Sequence, residues 1–281
     1  MTDKKWTQTQ VRRFKALGIN KNNIHADFST PEERNRIFQQ IEKKQVKGQR
    51  EELTDLLTKT NKTQIQSLRE ALEKALHQLG FTGVSTPTII TRHALEKMTI
   101  DEDHPLSQQV FWLNEKQCLR PMLAPNLYSL MKDFSRLKHR PIRFFEIGSC
   151  FRKESSGACH SNEFTMLNLV EMGLPEQDRH CRLTFLAENV MKAAGIRQYR
   201  FESEASKIYG ATLDVLAGPG RIEVASGAMG PHPLDAAWDI IEPWVGMGFG
   251  LERLLMTSKS DDSIFKWAKS LSYIDSICLN I

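Results

Sequence analysis

The sequence predicts an α+β fold in which helices flank an antiparallel sheet. Strand-like segments occur in successive pairs joined by short polar turns, a pattern typical of hairpins rather than of alternating parallel βαβ units. The predicted pairs are 110–113 with 118–120, 142–152 with 163–172, and 212–216 with 221–226. Helical patterns near 125–138, 175–194 and 249–257 supply the elements that would cover this sheet.

Two amphipathic helices are predicted before the sheet, near residues 5–17 and 31–47. The apolar residues at helical spacing in the first helix are Val11, Phe14 and Leu17. The run Thr30-Pro31-Glu32-Glu33 offers an N-cap, a proline in the first turn and a capping-box glutamate for the second. Gly48 is expected to end that helix.

The first 62 residues are basic, with 14 Lys and Arg against 8 Asp and Glu in a chain whose net charge is +4. Such a segment suits contact with backbone phosphates, although a solvated helical face carries the same pattern. The candidate contacts are Arg12, Arg13, Lys15, Arg34 and Arg36.

A further helix is predicted from Thr63 to a terminating glycine, Gly80. Its apolar positions are Ile65, Leu68, Leu72, Leu76 and Leu79. The stretch 48–62 before it is the best boundary, so the sequence predicts a basic helical extension over 1–62 and a core domain over 63–281.

Composition favours a soluble intracellular enzyme. A chain of 281 residues with 40% hydrophobic content can bury one large core. The polar start offers no apolar segment of a secretory signal, and no membrane span is expected. The five scattered cysteines form no C-x-x-C pair, which favours reduced thiols and a cytoplasmic location.

Two apolar patterns carry polar residues of interest. Period-2 alternation after the polar loop places Phe164, Met166, Asn168 and Val170 on one strand face, with Asn168 roughly 13 Å from Phe164. Such a face is either ordinary core with a hydrogen-bonded asparagine or a ligand-reading surface. Four residues at helical spacing form an apolar stripe: Ala124, Leu127, Tyr128 and Met131. This stripe is likewise either ordinary core or one wall of a ligand site.

Two motifs about ninety residues apart carry the main functional signal. The first is Phe151-Arg152-Lys153-Glu154, followed by His160 and Phe164, and the second is the run from Gly246 to Arg253. Each is weak alone, since exposed Arg and Glu pairs are common and the glycines fit no dinucleotide fingerprint. In this order, and after the Gly80–Pro87 segment, they resemble the three motifs of the class II aminoacyl-tRNA synthetases.

That resemblance implies the class II catalytic fold and an ATP site that uses Mg²⁺. Arg152 would bridge the amino-acid carboxylate and the α-phosphate, and Arg253 would be the second catalytic arginine. Glu154 would accept from the adenine amino group, and His160 would reach the γ-phosphate. Phe164 and Arg253 would sandwich the adenine ring. Glu223 and Ser226 would hold Mg²⁺, and a bulge near Ser226-Gly227 would bring both to one strand face.

Four segments sharpen the resemblance to the pyrrolysyl-tRNA synthetases within that class, over nearly the whole chain from about residue 6. They are 120–131, 164–168, 208–210 and 242–244. The implied pocket residues are Ala124, Leu127, Tyr128, Met131, Val170, Ala228, Trp244 and Gly246. Asn168 would bind the side-chain amide of the amino acid, and Tyr209, on a mobile hairpin, would close over it. These positions offer no carboxylate for a lysine ammonium group, which favours a neutral lysine amide.

The implied reaction joins pyrrolysine to its cognate tRNA through an ATP-derived adenylate. The resemblance also implies a homodimer, tRNA contacts from the basic helices, and a separately encoded N-terminal protein that binds the same tRNA. Two alternatives stay open: a class II synthetase for another apolar amino acid such as phenylalanine, and a non-catalytic tRNA-binding paralogue.

Overall fold

The structure, a computed structural model, describes residues 5–19, 27–153, 161–206, 208–261 and 263–281. It divides the chain into two compact units. One comprises residues 1–63 together with 269–281, and the other comprises residues 64–268. No helix in these described ranges is both long enough and apolar enough to cross a membrane.

Among its described residues, the first unit contains two α-helices, a short π-helical turn and a two-stranded antiparallel sheet. These are α1 (Gln8–Ala16), α2 (Pro31–Asp55), β10 (Tyr273–Ile274) and β11 (Ile277–Cys278). Both predicted N-terminal helices are therefore present, and α2 begins as expected, because the Thr30 side chain accepts a hydrogen bond from the Glu33 amide and Pro31 lies in the first turn.

The predicted end of α2 at Gly48 is wrong, because the helix continues to Asp55 and into a π-helical turn over Leu56–Thr60. An interior glycine costs a helix only about 1 kcal/mol. Here Gln45 and Gln49, on either side of Gly48, each donate a side-chain hydrogen bond to the Leu17 carbonyl oxygen. These long-range contacts hold the helix on both sides of the glycine.

Aromatic packing forms the core of the first unit. The Trp6 ring lies 5.0 Å from Phe14 and 4.4 Å from Phe28, with both pairs edge to face. The C-terminal residues belong to this unit through side-chain bonds: Arg13 donates to the Asn280 carbonyl, and Tyr273 donates to the Ala16 carbonyl. A connection across more than 250 residues carries no local sequence signal.

The second unit contains six α-helices and nine strands among its described residues, together with short 3₁₀ helices. The helices are α3 (Gln64–Gln78), α4 (Arg92–Glu96), α5 (Pro105–Gln109), α6 (Ala124–Phe134), α7 (Arg179–Ala193) and α8 (Leu251–Ser258). The strands are β1 (Thr82–Gly83), β2 (Ile89–Thr91), β3 (Gln117–Leu119), β4 (Ile142–Phe151), β5 (Glu163–Met172), β6 (Tyr199–Ser206), β7 (Gly210–Ala217), β8 (Ile222–Gly230) and β9 (Trp244–Gly250). Gly80 follows α3 with φ +81°, as its predicted role of terminator requires.

Seven strands form the central sheet in the order β1-β4-β5-β9-β8-β7-β6. The hairpins β4–β5 and β7–β8 confirm two of the predicted pairs, and the α+β fold class is confirmed. One pair in the sheet is parallel, between β1 and β4. The predicted pairing of 110–113 with 118–120 is present as a short antiparallel contact, with a bridge between Trp112 and Cys118 and backbone hydrogen bonds from Leu119 to Phe111 and from Leu113 to Gln117. The other edge of β3 pairs with β2, which the sequence did not predict.

The sheet has an apolar layer on each face. One layer contains buried side chains of α3, α7 and α8, and the other contains those of α6 and of a 3₁₀ helix over Pro233–Trp238. The alternation of side chains along β5 divides this strand between the two layers, with Leu167 in the first and Val170 in the second. The second layer is the one that opens into a cavity.

A buried ion pair ties β4 to the chain before α6. Arg120 and Glu146 are each only 3% exposed, and their Nη1 and Oε1 atoms lie 2.8 Å apart. Thr86 donates from its hydroxyl to Glu146 Oε2, and Arg120 Nε donates to the Ser149 carbonyl. Gly148 lies two residues after Glu146 on β4. The absence of a side chain there makes room for the ion pair, because a Cβ at Gly148 would overlap the Arg120 guanidinium.

Replacement of Glu146 by alanine should destabilise the fold by about 3–5 kcal/mol, because it leaves the Arg120 charge buried without its partner. Equilibrium urea unfolding measures this loss. The control is Asp133→Ala, which breaks the exposed pair with Arg136 and should change the free energy of unfolding by at most about 1 kcal/mol. Equal small losses in both variants would contradict a structural role for the buried pair.

Candidate active site

A single cavity of about 240 Å³ in the second unit brings together the predicted site residues that the structure describes. Those predicted for ATP are Arg152, Phe164, Glu223, Ser226 and Arg253. Those predicted for the amino acid are Ala124, Leu127, Tyr128, Met131, Asn168, Val170, Tyr209, Ala228, Trp244 and Gly246. Glu154 and His160 lie outside the described residues.

Three glycines of strand β9 form the floor of the cavity. Gly246, Gly248 and Gly250 alternate along β9 and all line the cavity, with β5 paired on one side of the strand and β8 on the other. A Cβ at Gly248 would lie 2.5 Å from Asn168 Oδ1 and 3.0 Å from Met166 Cε. The glycine-rich run therefore makes room for a ligand and for the side chains of β5.

Helix α6 forms the apolar wall. Its residues Ala124, Leu127, Tyr128 and Met131 are all buried and all line the cavity, so the predicted stripe faces the site. Burial, together with the nearby Tyr209 and Asp235, raises the pKa of the Tyr128 phenol far above its usual range. The phenol is therefore neutral at physiological pH.

Asn168 is the polar group among these apolar walls. Its strand neighbours Phe164, Met166 and Val170 line the cavity with it, as the alternation predicts. Asn168 Oδ1 is buried and has no hydrogen-bond partner among the described residues. An unpaired buried acceptor costs about 1–3 kcal/mol, so this amide is poised for a ligand that supplies the missing bond.

Two oxygen-bearing side chains of β8, Glu223 and Ser226, lie on the cavity side. A bulge makes this possible, since Val215 pairs with Ala225 and Leu216 pairs with Glu223, which leaves Val224 as the extra residue. The predicted position of the bulge at Ser226-Gly227 is wrong by about two residues, because the register shift occurs at Val224. The predicted consequence holds, because Glu223 and Ser226 line the same cavity.

The charge around Glu223 suits a cation. Desolvation raises the pKa of the Glu223 carboxyl, Arg253 opposes that shift, and Asp214 adds to it. Asp214 lies opposite Ser226 on β7, and its buried Oδ1 has no hydrogen-bond partner among the described residues. Within the described ranges no group of three or more His, Cys, Asp or Glu side chains is arranged to hold a metal. Glu223 and Ser226 offer a carboxylate and a hydroxyl oxygen to the cavity, a donor set that suits Mg²⁺, because this ion takes one or two protein oxygens and keeps phosphate and water ligands.

Backbone carbonyl groups position the two predicted catalytic arginines. Arg152 Nε donates to the Pro121 carbonyl at 2.9 Å, and its guanidinium carbon lies 5.3 Å from the centre of the Phe164 ring. Arg253 Nη1 donates to the Glu223 carbonyl at 3.0 Å. Both residues line the cavity, and each guanidinium carries five N–H groups in a planar fork that suits a carboxylate or a phosphate.

Three supporting residues escaped the sequence reasoning. Glu252 is 1% exposed and accepts from the Thr165 amide with both oxygens, which joins α8 to β5. The position of Glu252 in the glycine-rich motif could have indicated a role for this residue. Arg120 and Asp235 had none, because their roles depend on partners that are distant in sequence.

The basic residues of the first unit differ in exposure. Arg12, Lys15 and Arg36 are exposed. Arg13 instead forms a 2.6 Å ion pair with Glu42, and Arg34 donates to the Lys5 carbonyl. Arg12, Lys15 and Arg36 are therefore the side chains best placed to meet a partner in solution.

Known proteins resemble the chain over most of its length. The model of a family described as tRNA synthetases class II core domain (F) matches residues 49–264. The crystal structure of pyrrolysyl-tRNA synthetase from Desulfitobacterium hafniense shares 52% identity, covers 99% of each chain and has a TM-score of 0.91. A second structure of a pyrrolysyl tRNA synthetase from that organism shares 50% identity over 99% of this chain and 96% of the other, with a TM-score of 0.88.

More distant relatives are phenylalanine ligase subunits. The alpha subunit of phenylalanine–tRNA ligase from an Exiguobacterium species is 24% identical over 220 residues, which are 71% of this chain and 64% of that protein. The chain thus spans a little under two thirds of the length of the curated relatives it matches.

Proposed function

The chain belongs to the class II aminoacyl-tRNA synthetases, and we propose that it activates pyrrolysine, an N6-acylated lysine, with ATP and transfers it to a cognate tRNA. The observation that carries the choice of amino acid is the unpaired amide oxygen of Asn168 in a largely apolar cavity. The amide of an N6-acylated lysine supplies both a donor and an acceptor at mid-length of a long side chain.

The amino-acid end of the cavity favours a neutral side chain. Its walls are the apolar residues of α6 with Val170, Ala228 and Trp244. The acidic residues that line the cavity, Glu223 and Glu252, belong to β8 and to the start of α8, on the nucleotide side of this proposal. An unmodified lysine would therefore bury its ammonium group without a counter-charge, which is strongly unfavourable.

The phenylalanine ligase relatives make phenylalanine the second candidate. A phenyl ring suits apolar walls, but it would leave Asn168 Oδ1 unpaired at a cost of about 1–3 kcal/mol. A non-catalytic role is disfavoured by Arg152 and Arg253, which both reach the cavity.

The first step would be in-line attack of the amino-acid carboxylate on the α-phosphate of ATP, with pyrophosphate leaving. Arg152 would contact both groups and offset the negative charge that accumulates as they meet. Phe164 and Arg253 would hold the adenine ring between them. Glu223 and Ser226 would hold Mg²⁺, which supplies further charge neutralisation when bound. Positioning and electrostatics then carry the step, so no general base is needed.

Pyrophosphate exchange tests this proposal directly. With a ring-bearing N6-acyl-lysine, the purified protein should exchange labelled pyrophosphate into ATP with kcat/KM at least about 100-fold above that for lysine or phenylalanine. Exchange with phenylalanine at an equal or higher kcat/KM would instead assign the second candidate. No exchange with any amino acid would support the non-catalytic alternative.

The second step would transfer the acyl group to the 3′-terminal hydroxyl of the tRNA. We propose that the exposed basic residues of the first unit contact the tRNA backbone, that the protein is a cytoplasmic homodimer, and that a separate N-terminal tRNA-binding protein acts on the same tRNA. The net charge of +6 over residues 1–62 supports the first of these proposals.

Replacement of Arg12, Lys15 and Arg36 by alanine should lower aminoacylation of tRNA about tenfold or more and leave pyrophosphate exchange unchanged. The salt dependence of tRNA binding should also become shallower, by roughly 0.7–0.9 in the logarithmic slope for each phosphate that the variant no longer neutralises. Filter binding over a salt series and both half-reactions measure these effects.

The matched control removes three exposed lysines of the second unit, Lys116, Lys192 and Lys259. It should change neither reaction. Arg13→Ala serves as a separate variant, because loss of the Glu42 pair should lower stability first. Equal loss of aminoacylation in the triple variant and in its lysine control would contradict a role of the basic helices in tRNA binding.

A further inference from the structure

Behind the apolar wall of the cavity lies a buried carboxylate that does not itself line it. Asp235, in the 3₁₀ helix Pro233–Trp238, is 2% exposed. Its Oδ1 accepts from the Tyr128 hydroxyl at 3.2 Å. Its Oδ2 accepts from Trp244 Nε1 at 2.9 Å and from the His232 amide at 2.8 Å. All three donors are neutral groups, although a buried carboxylate usually needs strong compensation.

Two of those donors, Tyr128 and Trp244, are adjacent residues of the cavity wall. Tyr128 comes from α6 and Trp244 from β9, and their rings meet edge to face with centroids 5.6 Å apart. One carboxylate therefore fixes two aromatic side chains from different elements. The remaining bond, to the His232 amide, caps the 3₁₀ helix and involves neither wall.

Trp244 is constrained from a second side. A Cβ at Gly230 would overlap the Trp244 indole, so the ring lies directly on the β8 backbone. Contact with the backbone at Gly230 and the hydrogen bond from the indole N–H to Asp235 together fix the orientation of the Trp244 ring. The Tyr128 hydroxyl is similarly committed, because its proton is donated to Asp235 rather than into the cavity.

We propose that Asp235 is a positioning residue that determines substrate specificity: by holding Tyr128 and Trp244 together, it sets the depth of the pocket for the acyl group of the amino acid. This inference rests on the proposed function. In the proposed complex, a ring-bearing acyl group would extend to Tyr128 and Trp244, whereas a short acyl group would end before them. Asp235 therefore affects the recognition of long acyl-lysines and not the binding of ATP.

The hydrogen-bond pattern predicts which substitution is tolerated. In Asp235→Asn the amide oxygen can accept from Trp244 and His232, while the amide nitrogen donates to the Tyr128 oxygen, which can act as an acceptor. All three bonds are then retained. Asp235→Ala loses them all, and Tyr128→Phe loses only one and preserves the cap of the 3₁₀ helix.

The test is pyrophosphate exchange with a ring-bearing N6-acyl-lysine and with N6-acetyl-lysine. In Asp235→Ala the KM for the ring-bearing substrate should rise about tenfold, while the KM values for acetyl-lysine and ATP stay within about twofold. Asp235→Asn should restore the wild-type KM. Tyr128→Phe should shift the ring-bearing substrate in the same direction by a smaller factor, and it gives the answer if Asp235→Ala does not fold.

Asp239→Asn is the matched control, since it removes an exposed carboxylate of the same segment that pairs with Lys132. It should leave every KM unchanged. Equal losses for both amino acids and ATP in Asp235→Ala, or a Tyr128→Phe variant with unaltered discrimination, would overturn the inference. Failure of the wild-type protein to activate any acyl-lysine would instead refute the proposed function, and the inference with it.

Discussion

The hydrogen-bonded register of β5, β9 and β8 is the constraint on which the site depends. It places Asn168, Gly248 and Ser226 in one row across the sheet, and Val170, Gly246 and Ala228 in the next row on the same side. Because the middle strand presents glycines, side chains of the outer two strands face each other across an open floor. A one-residue slip of β9 would turn its larger side chains into the cavity and remove the space for a ligand.

The same sheet separates the two chemistries that the site requires. Toward one end, Glu223, Ser226 and Arg253 gather oxygen donors and positive charge, and the bulge at Val224 is what brings the first two to one side. Toward the other, α6 and Trp244 enclose an apolar volume, and the unpaired amide oxygen of Asn168 lies between the two ends, in the same row as Ser226. Arg152, which donates to the Pro121 carbonyl, is the residue proposed to contact both the carboxylate and the α-phosphate. In the proposed complex, ATP bound at the first end and the amino acid bound at the second would thus bring their reacting groups together.

The elements with strong local periodicity were predictable from the sequence. The alternation over β5 and the helical stripe of α6 placed eight side chains on the correct faces, because these periods depend only on backbone geometry. Distant contacts were not predictable: Gln45 and Gln49 carry α2 past Gly48, and Tyr273 joins the C-terminal residues to α1. Asp235 belongs to the same class, since nothing near it in sequence indicates its bonds to Tyr128 and Trp244. Local periodicity thus predicts which side chains line the site, but it does not predict the hydrogen bonds that position them.

The most direct test of the account concerns the amide that Asn168 is proposed to read. Activation rates should be compared for a ring-bearing N6-acyl-lysine and for an isosteric hydrocarbon in which methylene groups replace the amide, with wild-type protein and with Asn168→Ala. We expect the wild type to prefer the amide by about 1–3 kcal/mol, roughly 5- to 150-fold in kcat/KM, and the variant to lose that preference. A preference that persists undiminished without Asn168 would contradict the assignment of this cavity to an amide-bearing amino acid.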